Sequence, residues 1–318
     1  MLVQKIWTDG LSRRYVIQEM ENIVFAAFNK MKTAIGLTGL PLVVSRFASC
    51  TKVPLLCYHN PNPSFFESHV SWLRRHYDPI PFALFIKAVT ERDRSILPPR
   101  PLVVTIDDGW QANIELIPVL VKYSFPILIY LTAGMIGTSR KFWWLAVKQK
   151  GGNPQPLKRL PFHEFLKVLH DRFAYEPEKE YPERCALSWD EVYHLRKTGL
   201  VEFGSHSITH PILTNCPDDL AWQEIDESKR MIECKLDESI IHFAYPNGDH
   251  SAREKEMVKA AGYATGRTVR EGWVNINAAT DPYDLAVLRQ PDNDNIPQLS
   301  YALAGFDVLR KCLVKGYN

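Results

Sequence analysis

Paired cysteines, basic tracts and long apolar runs are all missing from this chain. Its six cysteines (Cys50, Cys57, Cys185, Cys216, Cys234, Cys312) are scattered, with no C-x-x-C spacing. That excludes a zinc-finger or disulfide scaffold and fits free thiols in a reducing compartment. The net charge is only +2, and no run of Lys and Arg is interleaved with aromatics, so nucleic acid is not an expected partner. The longest uncharged stretch near the N-terminus, Thr33 to Ser45, falls short of the roughly 20 residues of a spanning helix. No basic start runs directly into an apolar core with a small-residue cleavage site, so no signal peptide is expected. A cytoplasmic location, or one peripheral to a membrane, follows as the expectation. Internal repeats and low-complexity tracts are absent as well.

What is present suits a soluble globular protein. The 318 residues, 46% hydrophobic and 23% charged, suffice for a sizeable core. Residues 1–50 read as an N-terminal extension. Within it Ile23 to Phe47 is apolar with Lys30, Lys32 and Arg46 set into it, the pattern of a packed helix or of a segment lying on a membrane surface. Residues 51–318 read as the main domain. An insertion is expected near 140–187, where Gly151 to Glu183 is rich in Pro, Lys and Glu.

Several apolar runs of strand length finish in a polar residue. Val53 to Tyr58 runs into His59, Leu102 to Ile106 into Asp107 and Asp108, and Ile127 to Leu131 into Thr132. Val201 to Phe203 runs into Gly204-Ser205-His206, Ile240 to Ala244 into Tyr245-Pro246, and Leu285 to Leu288 into Arg289. Near-continuous apolar strands imply a sheet covered on both faces, usually parallel. Helical patterns lie between them. Phe66, Val70, Leu73 and Tyr77 share a face, and Ser188 with Glu191 and Ser251 with Glu254 form capping boxes closed by Gly199 and Gly262. The class is α/β, barrel-like, with its site at the strand C-termini.

Three segments carry the chemistry. Thr105-Ile106-Asp107-Asp108-Gly109 ends a strand in adjacent carboxylates, and His206 and His210 are four residues apart in a loop closed by Pro211. A single helical turn there would put both imidazoles on one face. One carboxylate with two histidines is a usual set for catalytic zinc, and the other carboxylate is then free as a base. Tyr245-Pro246-Asn247-Gly248 is a β-turn by pattern, able to aim backbone N–H groups at an oxyanion. His59 shares a strand face with Leu55 and Cys57, which directs it to the barrel mouth. Trp143-Trp144 is the aromatic pair suited to stacking on a sugar.

These residues resemble the polysaccharide deacetylases of the NodB-homology type, carbohydrate esterase family 4. The family's T-F-D-D-G motif corresponds to Thr105 to Gly109, and H-S/T-x-x-H-P to His206 through Pro211. The resemblance runs from about residue 53 to 306. Its third motif is altered: Asn247 stands where an aromatic is usual and no arginine precedes the turn. The form Phe243-Ala-Tyr-Pro-Asn-Gly248 is similar to the circularly permuted branch acting on poly-N-acetylglucosamine and exopolysaccharides, whose general-acid histidine follows a tyrosine on the first strand, as Tyr58-His59 does here.

The resemblance implies a distorted (β/α)7 barrel and a metal-dependent N-deacetylase of an N-acetylated glycan. It assigns the metal to Asp108, His206 and His210, the base to Asp107, the acid to His59 and oxyanion support to the Asn247 backbone. The ion expected is zinc, with cobalt or nickel as alternatives. Arg289 or Arg267 is expected to steer Asp107 in place of the missing motif arginine, and Asp281 or Asp284 to orient His59. An O-acetyl esterase, a deformylase, or a non-catalytic carbohydrate-binding relative are the alternatives.

Overall fold

The computed structural model describes residues 23, 26–288, 292 and 294–309. The chain divides into two compact units, one of residues Ala48–Asp292 and the other of Met1–Phe47 together with Asn293–Asn318.

Seven parallel strands organise the larger unit: β1 (Leu55–Tyr58), β2 (Pro101–Ile106), β3 (Ile127–Leu131), β4 (Val201–Ser205), β5 (His242–Ala244), β6 (Thr265–Glu271) and β7 (Leu285–Val287). They lie side by side in chain order. The Leu288 N–H donates to the Leu55 carbonyl at 2.8 Å, bringing the last strand back to the first. The result is a nearly closed, distorted (β/α)7 barrel. Every residue of β1, β2, β3, β5 and β7 is buried, as apolar strands covered on both faces require.

Two local departures have simple causes. The apolar run Val53 to Tyr58 is one segment by pattern, but Pro54 interrupts it. Lys52–Val53 pairs antiparallel with Val274–Asn275, and only Leu55–Tyr58 joins the barrel, because proline offers no N–H to a ladder. Strand β6 (TGRTVRE) has no apolar signature, yet its first four residues are buried, Arg267 among them.

Helices fill the connections. Pro63–His76 starts at Asn62, whose side chain accepts the Ser64 and Phe65 N–H groups. Both expected capping boxes form, at Ser188 with Glu191 and Ser251 with Glu254, each contributing about 1 kcal/mol of cap stabilisation. Between β3 and β4 the helices Trp143–Gln149 and Phe162–Phe173 build a separate small core from Trp143, Val147, Leu157, Phe165 and Leu169.

The smaller unit contains a helix over 26–37, most of Leu40–Ala48, and Ile296–Leu303. Lys32 pairs with Asp307 at 2.9 Å in a buried site. A Cβ on Gly36 would lie 2.0 Å from the Pro297 carbonyl oxygen, so only glycine permits that approach. No helix among the described residues is long and apolar enough to cross a membrane. Cys57, Cys185, Cys216 and Cys234 are free thiols; Cys312 lies outside the described residues.

Candidate active site

Strand ends bring the chemistry together. Asp107 directly follows β2, its N–H donating to the Tyr58 carbonyl at 2.9 Å. Asp108 and Gly109 both have φ +73°, a left-handed pair that swings the chain off the strand. A Cβ on Gly109 would meet Leu131 Cδ2 at 2.9 Å, so glycine is needed here twice over, for φ and for space.

His206 continues the β4 ladder, its N–H donating to the Leu131 carbonyl at 2.8 Å. No helical turn forms between His206 and His210. The segment is instead a loop with left-handed Ser207 (φ 64°) and His210 (φ 60°). Strand pairing extends too far to allow helix, and Pro211 disfavours the right-handed helical conformation at His210. The loop is clamped from the helix Asp218–Leu236. There the buried Glu224 accepts the Ile208 and Thr209 N–H groups at 2.7 and 2.9 Å and the Thr209 hydroxyl at 2.5 Å.

The loop delivers both imidazoles to Asp108. His206 Nε2 and His210 Nε2 each lie 3.6 Å from Asp108 Oδ1. His206 Nδ1 donates to the Ala244 carbonyl at 2.8 Å, and since a carbonyl only accepts, the Nε2 lone pair faces Asp108. Burial pushes both histidines below their ordinary values, His210 strongly, so both are neutral and able to ligate. Burial raises Asp108, whose Oδ1 has no hydrogen-bond partner although Oδ2 accepts the Trp110 indole N–H at 2.9 Å.

An orphaned buried carboxylate oxygen between two neutral imidazoles fits a cation. Tetrahedral ligands about 2.0–2.1 Å from zinc stand about 3.3 Å apart, close to the 3.6 Å found here. A second trio, Cys57, His59 and Asp107, is equally compact but fits poorly. Burial holds the Cys57 thiol protonated, and Asp107 is already paired.

That pair is with Arg267, whose Nη2 lies 2.6 and 2.5 Å from the two Asp107 oxygens. Burial alone would raise the Asp107 pKa. The Arg267 charge, helped by His206 and His59, overrides it and brings the value down to about 2. Arg289, the other arginine considered for this place, lies outside the described residues.

His59 is half-buried, and its partner is neither of the aspartates expected. Asp292 accepts its backbone N–H at 2.8 Å and holds Nδ1 at 3.1 Å. Asp281 instead pairs with Lys255, and Asp284 with Arg270 and His250. Their places at the start of β7 direct them to neighbours there, whereas Asp292 follows the strand's far end. Burial lowers the His59 pKa, but Asp292, Asp107 and Asp108 outweigh it and lift the value to about 9.

Asn247 is left-handed (φ 59°) in the turn after β5. Its side-chain oxygen accepts from Lys158 Nζ at 2.6 Å. The tryptophan pair divides. Trp143 is buried, donating to the His210 carbonyl at 3.2 Å, while the half-buried Trp144 sets its ring 4.7 Å from that of His210. Sequence reasoning missed Asp292 and Glu224, which lie outside the motif segments, and the bond from Trp110, which adjoins its motif but reads as a core aromatic.

Solved structures share this architecture. Deacetylase PplD of Streptococcus pyogenes, in complex with acetate, superposes with a TM-score of 0.59 at 17% identity, covering 79% of this chain and 98% of that one. IcaB from Ammonifex degensii gives 0.58 at 18%, covering 80% and 97%. A de-N-acetylase from Aggregatibacter actinomycetemcomitans gives 0.58 at 15%, covering 79% and 99%. At such identities the likeness is one of fold. No curated protein matches the sequence. A family model described as polysaccharide deacetylase does match, over residues 95–266. Because that span covers more than half of the chain and encloses Asp107, Asp108, His206 and His210, the chain belongs to the polysaccharide deacetylase family.

Proposed function

We propose that this deacetylase is a metal-dependent hydrolase that removes N-acetyl groups from an amino-sugar glycan. One observation carries the reading: adjacent aspartates in opposite environments. Asp107 is held ionised against Arg267, and Asp108 keeps a bare oxygen between two neutral histidines.

Asp108, His206 and His210 would hold one divalent ion, with zinc favoured over cobalt or nickel. Such an ion, when bound, polarises a carbonyl oxygen and acidifies a water. Asp107 accepts a proton from the attacking water, and its low pKa keeps it available across the working pH range. Arg267 holds that carboxylate still through the transfer. The Asn247 backbone N–H supports the developing oxyanion.

His59 completes the reaction. With Nδ1 held by Asp292, Nε2 is the position from which a proton reaches the departing amine. An amide needs that proton, because an amide anion is too basic to leave, whereas an alkoxide needs it less. A histidine kept protonated at neutral pH therefore favours amide over ester substrates.

The test combines elemental analysis with acetate release from N-acetylglucosamine oligomers. Turnover that is lost with a chelator and restored by zinc supports the reading. Turnover of O-acetylated glycans alone would replace it with an esterase.

A further inference from the structure

Positive charge collects on one side of the active site. From Leu116 to His163 the chain carries no Asp or Glu. In that stretch Lys141, Lys148, Lys150, Lys158 and Arg159 lie on or beside the helix Trp143–Gln149 and the helical turn Pro156–Arg159. Among the described residues no carboxylate comes within 4.0 Å of the charged group of any of these five. The residues of this unit outside the description, Arg289, Gln290 and Pro291, include no acid.

This segment is built against the site. Trp143 and Trp144 meet His210, and Lys158 reaches the turn after β5, where its Nζ donates to Asn247 Oδ1 at 2.6 Å. The Lys158 carbonyl accepts the Asn215 side-chain N–H at 2.9 Å, which fixes the base of the lysine. The ammonium is half-buried against a neutral amide, and an amide does not compensate a cation drawn out of water as an anion does. Burial lowers the Lys158 pKa, and the charge of Lys148 acts in the same direction, against an opposing pull from Asp249 and Asp108. Asp249 is exposed and accepts the Asn247 side-chain N–H at 2.6 Å.

The reaction proposed above gives Lys158 no proton to move and no bond to make. A cation half withdrawn from water, with a second lysine acting on it, is stabilised by an incoming anion. A cleft lined by one sign of charge also concentrates ligands of the other sign. The geometry points to Lys158, with Lys148 beside it, as the group that recognises a carboxylate or phosphate on the glycan that carries the N-acetyl group. The substrate is then an acidic glycan and not a neutral one. For its reaction this rests on the hydrolase reading above, but it is tested by binding, which needs no turnover.

The zinc-loaded protein is titrated calorimetrically with oligomers of equal length, and acetate release is followed on the same samples. One oligomer is N-acetylglucosamine alone, one alternates glucuronic acid with N-acetylglucosamine, and one is N-acetylglucosamine bearing phosphate on its primary hydroxyls. An acidic oligomer should bind at least about tenfold more tightly than the neutral one at low salt, and the margin should shrink in about 1 M salt. Preference for either acidic oligomer supports the proposal and names the anion. Lys158→Gln should remove most of the margin, and Lys158→Arg should keep it. If Lys158→Gln fails to fold, the exposed pair Lys148→Gln/Lys150→Gln is read instead and should reduce the margin about threefold.

Equal binding of neutral and acidic oligomers would overturn the proposal, and acetate release from the neutral one would then leave the hydrolase reading intact. A Lys158→Gln protein that binds all oligomers more weakly at an unchanged margin would also overturn it, because the lysine would then only hold the Asn247 turn. So would polyglutamate binding as tightly as the acidic glycan, since the segment would then read charge alone. Preferential binding of an acidic oligomer without acetate release would support this proposal and count against the hydrolase reading.

Discussion

Arg267 and Asp107 are 160 residues apart in sequence, yet the guanidinium of one touches both carboxylate oxygens of the other inside the barrel. Both side chains are buried, and the Arg267 guanidinium also lies 5.1 Å from the centre of the Tyr130 ring. The pair does two things at once: it neutralises a charge that burial would otherwise expel, and it sets the basicity of the carboxylate. Removing the cation leaves an uncompensated buried anion, at a typical cost of about 3–5 kcal/mol. Arg267→Met should therefore lower stability by that order in urea unfolding and raise the Asp107 pKa. A variant as stable as wild type would show the pair to be without structural weight.

The His59–Asp292 pair predicts a pH dependence. The folded pKa of about 9 lies above the ordinary 6.5, so the pair's stabilisation is full below about pH 6.5 and is lost as pH rises through 9. Histidine resonances followed by NMR in the metal-free protein should place His59 near that value, because a bound cation would draw it down. Asp292→Asn should shift it towards 6.5 and move the alkaline limb of the rate profile the same way. An unchanged titration would separate Asp292 from His59.

Glu224 touches no reacting group and should still govern metal affinity. It accepts two loop N–H groups and a hydroxyl between His206 and His210. Supporting residues of this kind typically contribute about 10–100-fold to metal binding. Glu224→Ala should weaken zinc binding by that factor in competition with a chelator, and Glu224→Gln should recover part of it. Equal affinity in all three proteins would show that the loop needs no clamp.

Much of this was legible in the sequence, for reasons that differ by element. Strands ending in Asp107 or His206 announce themselves because both faces are covered and the run is apolar. Strand β6 does not, because it carries Arg267 into the barrel, and a buried arginine in a strand looks like an exposed one until its partner is known. The two capping boxes were readable since their partners are three residues apart. Asp292 was not, being 233 residues from His59 in a segment without periodicity. The altered third motif, which from sequence left room for a non-catalytic relative, is accounted for in space: the arginine beside Asp107 comes from β6 instead of from the turn.

In the proposed reaction neighbouring aspartates divide the labour, Asp108 binding the ion and Asp107 taking the proton. Zinc content measured by elemental analysis in Asp107→Asn and Asp108→Asn tests it most directly, with turnover recorded on the same preparations. Asp107→Asn should retain about one ion per chain while turnover falls by roughly 10²-fold or more, and Asp108→Asn should lose the ion. Loss of the ion from Asp107→Asn with full retention in Asp108→Asn would contradict it.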